Sequence, residues 1–528
     1  MYDFTAGLKD SLKLVIDESE PLGPLDIADI EDVEVQKALF ESQNKIYEFV
    51  IKHPSIIVGR RGAGKTTFLK SLIHEKEKNS VIVEITGSKA FERIVDTLQK
   101  NNGGTHVFAE SASELWDWIF WTSLLSKIIA ELPDEAEAVT KRDKFKKFWH
   151  GEKLSKFLAI LSNSKSESVS LLSKVLTSST NYSPENLERI KSIVRQILKD
   201  ADVEAYVLLD SLEEYRLETD RMGLAISGLL RASGRFNQLR RFPEIRVCIP
   251  AEMYHKFRSF SSNSIKDFRS QLVLHWHAGE LLSLIAHRYR LFLNLYPESI
   301  PLEMLTTLNN LDIYSRNGAV KFWSLLLPNH ITNSVGIRED PIAYLLRHTH
   351  LLPRQMIFFL NAIMRLNKRN GGTSDTILES AIVGGVTSAE KHIWLEVCNA
   401  YKGVYPEAEN IVKAAVNELP LVFSDGDLHR IYNSHAKKFL PDPLQDFHFF
   451  KRMMIEIGCI GAVIQETDRY VIGVFEYTEG EELSVSSKTK LCLHPLFCGG
   501  EKTHNLNGIS KVIYPYGSDP EGLDRRDL

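Results

Sequence analysis

Gly59, Arg60, Arg61, Gly62, Ala63, Gly64, Lys65 and Thr66 follow one another directly after the apolar run Ser55 to Val58 and directly before Thr67-Phe68-Leu69. This is a complete G-x-x-x-x-G-K-[ST] loop between a buried strand and a helix start. Glycines let such a backbone curl so that its N–H groups and the helix N-terminus converge on phosphates, and Lys65 would reach the β and γ oxygens. Thr66 would give its hydroxyl to Mg²⁺, with Thr67 completing the loop. A second apolar run, Tyr206 to Leu209, ends in the carboxylate Asp210 and is followed closely by Glu213 and Glu214. A strand-end carboxylate suits a metal held through water, and a neighbouring one suits a base that polarises an attacking water. These residues imply ATP and Mg²⁺ as ligands.

The stretch Asp210-Ser211-Leu212-Glu213-Glu214 resembles the acidic Walker B segment of the STAND and NACHT branch of P-loop ATPases. The resemblance implies that Asp210 orients Mg²⁺ and that Glu213 or Glu214 is the base. The usual AAA+ arrangement has Glu immediately after the Asp, where this chain has Ser211. The strand Ile245 to Ile249 corresponds to the sensor 1 strand of AAA+ proteins, whose end normally offers Asn, Ser or Thr to the γ-phosphate; here it runs into Pro250-Ala251-Glu252. Further on, Leu352-Pro353-Arg354 precedes a helical run. Proline favours the first turn, so Arg354 belongs to that turn. It looks like the sensor 2 arginine, which touches the γ-phosphate and makes lid position depend on the nucleotide.

Positioning these residues takes alternating strands and helices. Strands are expected at 55–58, 80–85, 206–210, 245–249 and 272–276, and helices at 32–50, 90–100, 109–132 and 222–230. This pattern implies a parallel sheet covered on both faces, with the nucleotide at the carboxyl ends of its strands. The fold class is an α/β P-loop NTPase core similar to AAA+ and STAND ATPases, with a helical lid and a C-terminal winged-helix domain. The expected division is a core over 1–285 with an insertion at about 105–200, a lid over 286–400, a winged-helix-like domain over 401–500 and a tail over 501–528. The aromatic 109–132 segment reads as core. The Lys-rich then Ser-rich stretch 140–184 reads as a loop.

The winged-helix expectation rests on two short helices, around 427–439 and 447–457, followed by the alternating segments 462–465 and 470–474 and a third strand at 490–494. Residues 401–500 hold about 10 Lys and Arg against about 14 Asp and Glu, and the second helix offers only Lys451 and Arg452. DNA readers concentrate positive charge, so protein contact is favoured over DNA. Cys492, His494 and Cys498 match no standard zinc spacing and read as packed side chains.

The 528 residues, 43% apolar and 25% charged with a net charge of −5, describe a globular protein of two to four domains without global attraction to nucleic acid. Five irregularly spaced cysteines suit a reducing, cytoplasmic setting. No signal-peptide pattern opens the sequence and no stretch is apolar enough to enter a membrane. The resemblance implies an ATP-hydrolysing switch that forms homo-oligomers and controls a separately encoded effector protein, as in bacterial antiphage defence. The alternative is a DNA-binding AAA+ ATPase resembling the origin-recognition initiators.

Overall fold

Val, Ile and Leu recur in five short segments that pair side by side; the three inner ones are buried along most of their length, where polar alternation has no use, and the two at the edges are partly exposed. The computed structural model describes residues 5–27, 30–40, 54–69, 80–86, 94, 105–140, 184–210, 220–236, 243–260, 271–441, 445–479, 483–498, 504–506 and 509–521. Two compact units emerge: Phe49–Gly59 with Phe68–Val273, and Met1–Glu48 with Arg60–Thr67 and Leu274–Leu528.

The first unit holds β1 (Ile56–Gly59), β2 (Ser80–Thr86), β3 (Glu204–Asp210), β4 (Glu244–Pro250) and β5 (Gln271–Val273). They form one sheet in the order β2-β3-β4-β1-β5, and every pairing is parallel. Gly59 stands opposite Pro250, and Asp210 opposite Thr86. The edge at which β1 ends is therefore also the edge at which β3 ends, which a parallel sheet guarantees for all its strands. The helices Thr105–Glu131 and Asp220–Phe236 pack together in this unit. Trp116 Nε1 donates to the Ala225 carbonyl at 3.0 Å. Gly228 permits the close approach, since a Cβ there would stand 2.6 Å from that of Ala112. Trp116, Trp118 and Phe120 are buried, so the aromatic face of the first helix is core. Of the expected helix 32–50, Val33–Leu39 is helical and Phe40 is extended, while 41–50, the expected helix 90–100 apart from Ile94, and 141–183 of the expected loop 140–184 lie outside the described residues.

The expected strand 272–276 is shorter than its apolar pattern. β5 stops at Val273, and from Leu274 the chain belongs to the second unit. There Trp276 Nε1 donates to the Ala63 carbonyl at 2.8 Å, and the His275 ring meets the Tyr477 carbonyl at 2.9 Å. Those bonds satisfy polar atoms that a longer strand would have left to other partners.

The second unit is helical through Ala278–Leu295, Leu302–Asn309, Arg316–Ser324, Pro341–Arg347, Pro353–Arg369 and Glu379–Ala400, interrupted by the small hairpin of β6 (Ile331–Thr332) and β7 (Arg338–Glu339). The helices Ala408–Glu418, Asp425–Ile431 and Phe447–Glu456 follow. They accompany β8 (Val422–Phe423), β9 (Ile460–Glu466), β10 (Tyr470–Val474), β11 (Leu491–Leu493), β12 (His504–Leu506) and β13 (Ile509–Pro515). The β9–β10 hairpin is the wing, closed by the Thr467 hydroxyl, which accepts from the Tyr470 amide at 3.0 Å. The sheet order is β12-β13-β10-β9-β11-β8.

Within the stretch expected as a tail over 501–528, His504–Leu506 and Ile509–Pro515 instead continue this sheet. β13 pairs in parallel with β10, aligning Tyr470 with Val512 and Ile472 with Tyr514. Those four side chains pack with Ala343, and the Tyr514 hydroxyl donates to Glu339 at 2.7 Å. The same Glu339 carboxylate receives Arg347 at 2.9 Å, so the buried acid is charge-compensated and Tyr514 has a fixed partner. Burial of that apolar ladder is what orders the segment.

Candidate nucleotide-binding site

The loop Arg60–Thr67 curls because Gly62 and Gly64 adopt φ of +85° and +89°, a region where a Cβ is strained. The Ala63 amide closes the turn on the Arg60 carbonyl at 3.0 Å. Residues 65–69 then begin a helix. Lys65 is buried, and its ammonium donates to the Arg60 carbonyl at 3.3 Å across the curl of the loop. Thr66 and Thr67 are half-buried, while Arg61 is exposed. A loop turned by two positive-φ glycines, backed by the Trp276 bond to Ala63, fits the phosphate cradle that the sequence implies.

Arg354 occupies the first turn of the Pro353–Arg369 helix, with Pro353 at its start as expected. Its amide donates to the Gly62 carbonyl at 3.4 Å, and its Cβ lies 2.9 Å from where a Cβ on Gly62 would stand. Its guanidinium donates to Asp26 at 2.8 Å and to Glu396 at 3.2 Å. Just upstream, Leu351 sits at φ +51°, a conformation that costs a branched residue of this size free energy. The Thr349 hydroxyl accepts from its amide at 3.1 Å, and Gln355 accepts from the His350 amide at 2.7 Å. Those bonds hold the strained turn that aims the helix start.

Arg60 points the other way along the chain's contacts. Its guanidinium donates to the Glu456 carbonyl at 3.0 Å and lies over the Tyr477 ring, 5.7 Å from the centroid. Tyr477 stacks on His350 at 4.6 Å and hydrogen-bonds His494 Nε2 at 2.6 Å. Burial holds the His350 imidazole well below its usual pKa, with His494 and Arg60 acting in the same direction, so a cation here faces neutral rings. Burial likewise depresses His494. Tyr401 also donates to the Glu456 carbonyl.

Asp210 ends β3 in a half-buried position, in the first unit. Glu213 and Glu214 lie outside the described residues. The sensor 1 position carries no Asn, Ser or Thr; Ala251 and Glu252 open the Ala251–Phe260 helix, with Glu252 buried. Sequence reasoning passed over Asp26, Glu396, Trp276, Glu456 and Tyr477. Their distance along the chain from the loop leaves no local signal for them. In the C-terminal domain Lys451 is paired with Asp425 at 2.6 Å and only 12% exposed, and Arg452 is paired with Glu456 at 2.7 Å.

Parallel sheet, phosphate-loop motif and appended domains define the class: an α/β P-loop NTPase fold with a helical lid and a C-terminal winged-helix domain. No protein-family model matches the chain, and no curated protein matches it. Among solved structures it is similar to the Aeropyrum pernix ORC2 protein in its ADPNP-ADP complexes, at 12% identity and a TM-score of 0.37, over 91% of this chain and 94% of that one. It is also similar to Cdc6p from Pyrobaculum aerophilum, at 11% identity and a TM-score of 0.28, over 91% and 95%. A third is the Aeropyrum pernix ORC1 protein in complex with DNA, at 11% identity and a TM-score of 0.31, over 91% and 94%. No helix among the described residues is long and apolar enough to cross a membrane.

Proposed function

We propose that this chain is an ATP-binding and ATP-hydrolysing switch that passes the state of its nucleotide loop to its C-terminal winged-helix domain. The observation that carries the reading is Arg60, a residue of the phosphate loop whose guanidinium is anchored on the Glu456 carbonyl and the Tyr477 ring. Any rearrangement of the loop around phosphates is then felt by the second helix and the wing-side segment of that domain.

In this reading Lys65 and the amides of Gly62 to Thr67 hold the phosphates, and Thr66 and Asp210 hold Mg²⁺. The metal would neutralise charge on the β and γ oxygens. Glu213 or Glu214 takes the proton from the attacking water. Arg354 meets the γ-phosphate through a charge-assisted bond that ADP cannot offer. Lys65→Ala is expected to weaken nucleotide binding at least about tenfold in equilibrium titrations, since it removes the loop's cation. Glu213→Gln or Glu214→Gln is expected to bind ATP and turn it over far more slowly. Unchanged affinity in the Lys65 variant would end the assignment.

The output is proposed to be contact with a separately encoded effector protein, and the antiphage role follows from the sequence resemblance. Lys451 spends its charge on Asp425 and Arg452 on Glu456, so the basic residues of the second helix are already compensated. The second reading is a DNA-bound ATPase, for which the ORC1 complex with DNA is the example among the similar structures. Self-association through the core belongs to both readings.

A further inference from the structure

Arg354 reaches the loop with its backbone and its Cβ, yet its guanidinium is held by two carboxylates from distant parts of the chain. One is Asp26, at 2.8 Å; the other is Glu396, at 3.2 Å, on the Glu379–Ala400 helix. Asp26 is delivered by a strap of chain fixed along the lid helices. Asn361 accepts from the Leu22 amide at 3.0 Å and donates to the Gly23 carbonyl at 3.1 Å. Arg288, itself 3% exposed, donates to the Leu22 carbonyl at 3.1 Å and the Pro24 carbonyl at 2.9 Å. Four bonds from two buried side chains therefore set the position of residues 22–24, two residues before Asp26.

We propose that Asp26 and Glu396 are positioning residues that set the preference of the site for ATP over ADP by competing with the γ-phosphate for Arg354. The inference rests on the reading of Arg354 as the γ-phosphate contact. A guanidinium already shared by two carboxylates has its charge compensated, so a third anion either displaces one of them or meets the repulsion of both, and each case reduces what the new contact contributes. ADP makes no such demand, because it has no γ-phosphate to offer. The two carboxylates thus tax ATP binding and leave ADP binding alone, which keeps ATP affinity below what the loop and Arg354 would otherwise reach. Because the strap supplies one of the two, the N-terminal segment is part of the nucleotide discrimination. All three side chains are partly exposed, so each pair is of the modest kind.

The test is an equilibrium titration of the full chain with Mg²⁺ and either ADP or a non-hydrolysable ATP analogue. The variants are Asp26→Asn, Glu396→Gln, the double variant and each of these combined with Arg354→Ala. Neutral amides keep the shape and the acceptor oxygen but remove the charge. The double variant is expected to bind the analogue about three- to tenfold more tightly, the scale of releasing partly exposed ion pairs, with ADP affinity within about twofold of the parent. In the Arg354→Ala background the gain is expected to vanish. Equal tightening of both nucleotides, no tightening of the analogue, or a gain that survives Arg354→Ala would each overturn the proposal. If the double variant melts early, the two single substitutions decide it by the same criterion. Arg354→Ala alone separates the two levels. Unchanged discrimination in it overturns the Arg354 reading itself, whereas lost discrimination in it with no response to the amide substitutions overturns only the competition.

Discussion

Lys65 is buried, and its ammonium rests on the carbonyl of Arg60 in its own loop; Arg60 in turn leans on Glu456 and Tyr477. On the proposed function, single residues in this region therefore have two sets of obligations, one to the phosphates and one to the rest of their unit. His287 shows the same economy in the lid. Its Nε2 meets the Ala38 carbonyl at 2.9 Å, and burial pushes its pKa down to about 4 although that bond pulls the other way. The folded state keeps it neutral, while the unfolded chain takes up a proton near pH 6.5. Its contribution to stability is thus complete above pH 6.5 and is lost as pH falls towards 4. At pH 5 the loss is about 2 kcal/mol. Urea midpoints at pH 7 and pH 5 should draw closer together in His287→Gln, which retains an N–H for the carbonyl. An unchanged gap would show that His287 does not set the acid sensitivity.

At the scale of elements, the strap before Asp26 and the strand β13 do related work from opposite ends of the second unit. Each is a short segment that takes its place against a helix of the lid. β13 gains its place from Val512 and Tyr514 on Ala343 and from the Tyr514 bond to Glu339. Truncation after residue 503 removes these and leaves Glu339 and Arg347 with one partner fewer. Burial of a residue of this size contributes about 1.5 to 3 kcal/mol. Loss of two should lower the melting temperature by several degrees, and Tyr514→Phe should reproduce the hydroxyl's part alone, about 1 kcal/mol. A truncated chain that melts with the parent would return 504–521 to the status of a tail.

At the scale of the whole molecule, the net charge of −5 and the compensated Lys451 and Arg452 bear on the choice of output. Binding to duplex DNA draws its affinity from releasing counterions, and in residues 401–500 acidic residues outnumber basic ones while both cations of the second helix are ion-paired. Titration of the full chain with duplex DNA at 50 and 200 mM salt should give weak binding with a shallow slope. Tight binding that falls about a thousandfold between those salts, and that disappears with Lys451→Glu and Arg452→Glu, would establish the DNA-bound reading instead.

The sequence by itself determined the loop, the strands that carry Gly59 and Asp210, and the proline-started helix of Arg354. These are local: a motif of eight consecutive residues, apolar runs of four to seven, and a proline whose fixed φ selects the first turn. Even the parallel pairing follows from strands that alternate with helices. Only the tertiary structure decided that β5 ends at Val273, since Trp276 answers to a carbonyl 213 positions away. It alone decided that Arg354 is held by Asp26 and Glu396, that Arg60 belongs to Glu456 and Tyr477, and that 509–515 is a strand beside β10. Each of these is a partnership between residues far apart in sequence. A charged or aromatic side chain announces that it needs a partner, but which one it finds depends on how the backbone has brought the elements together.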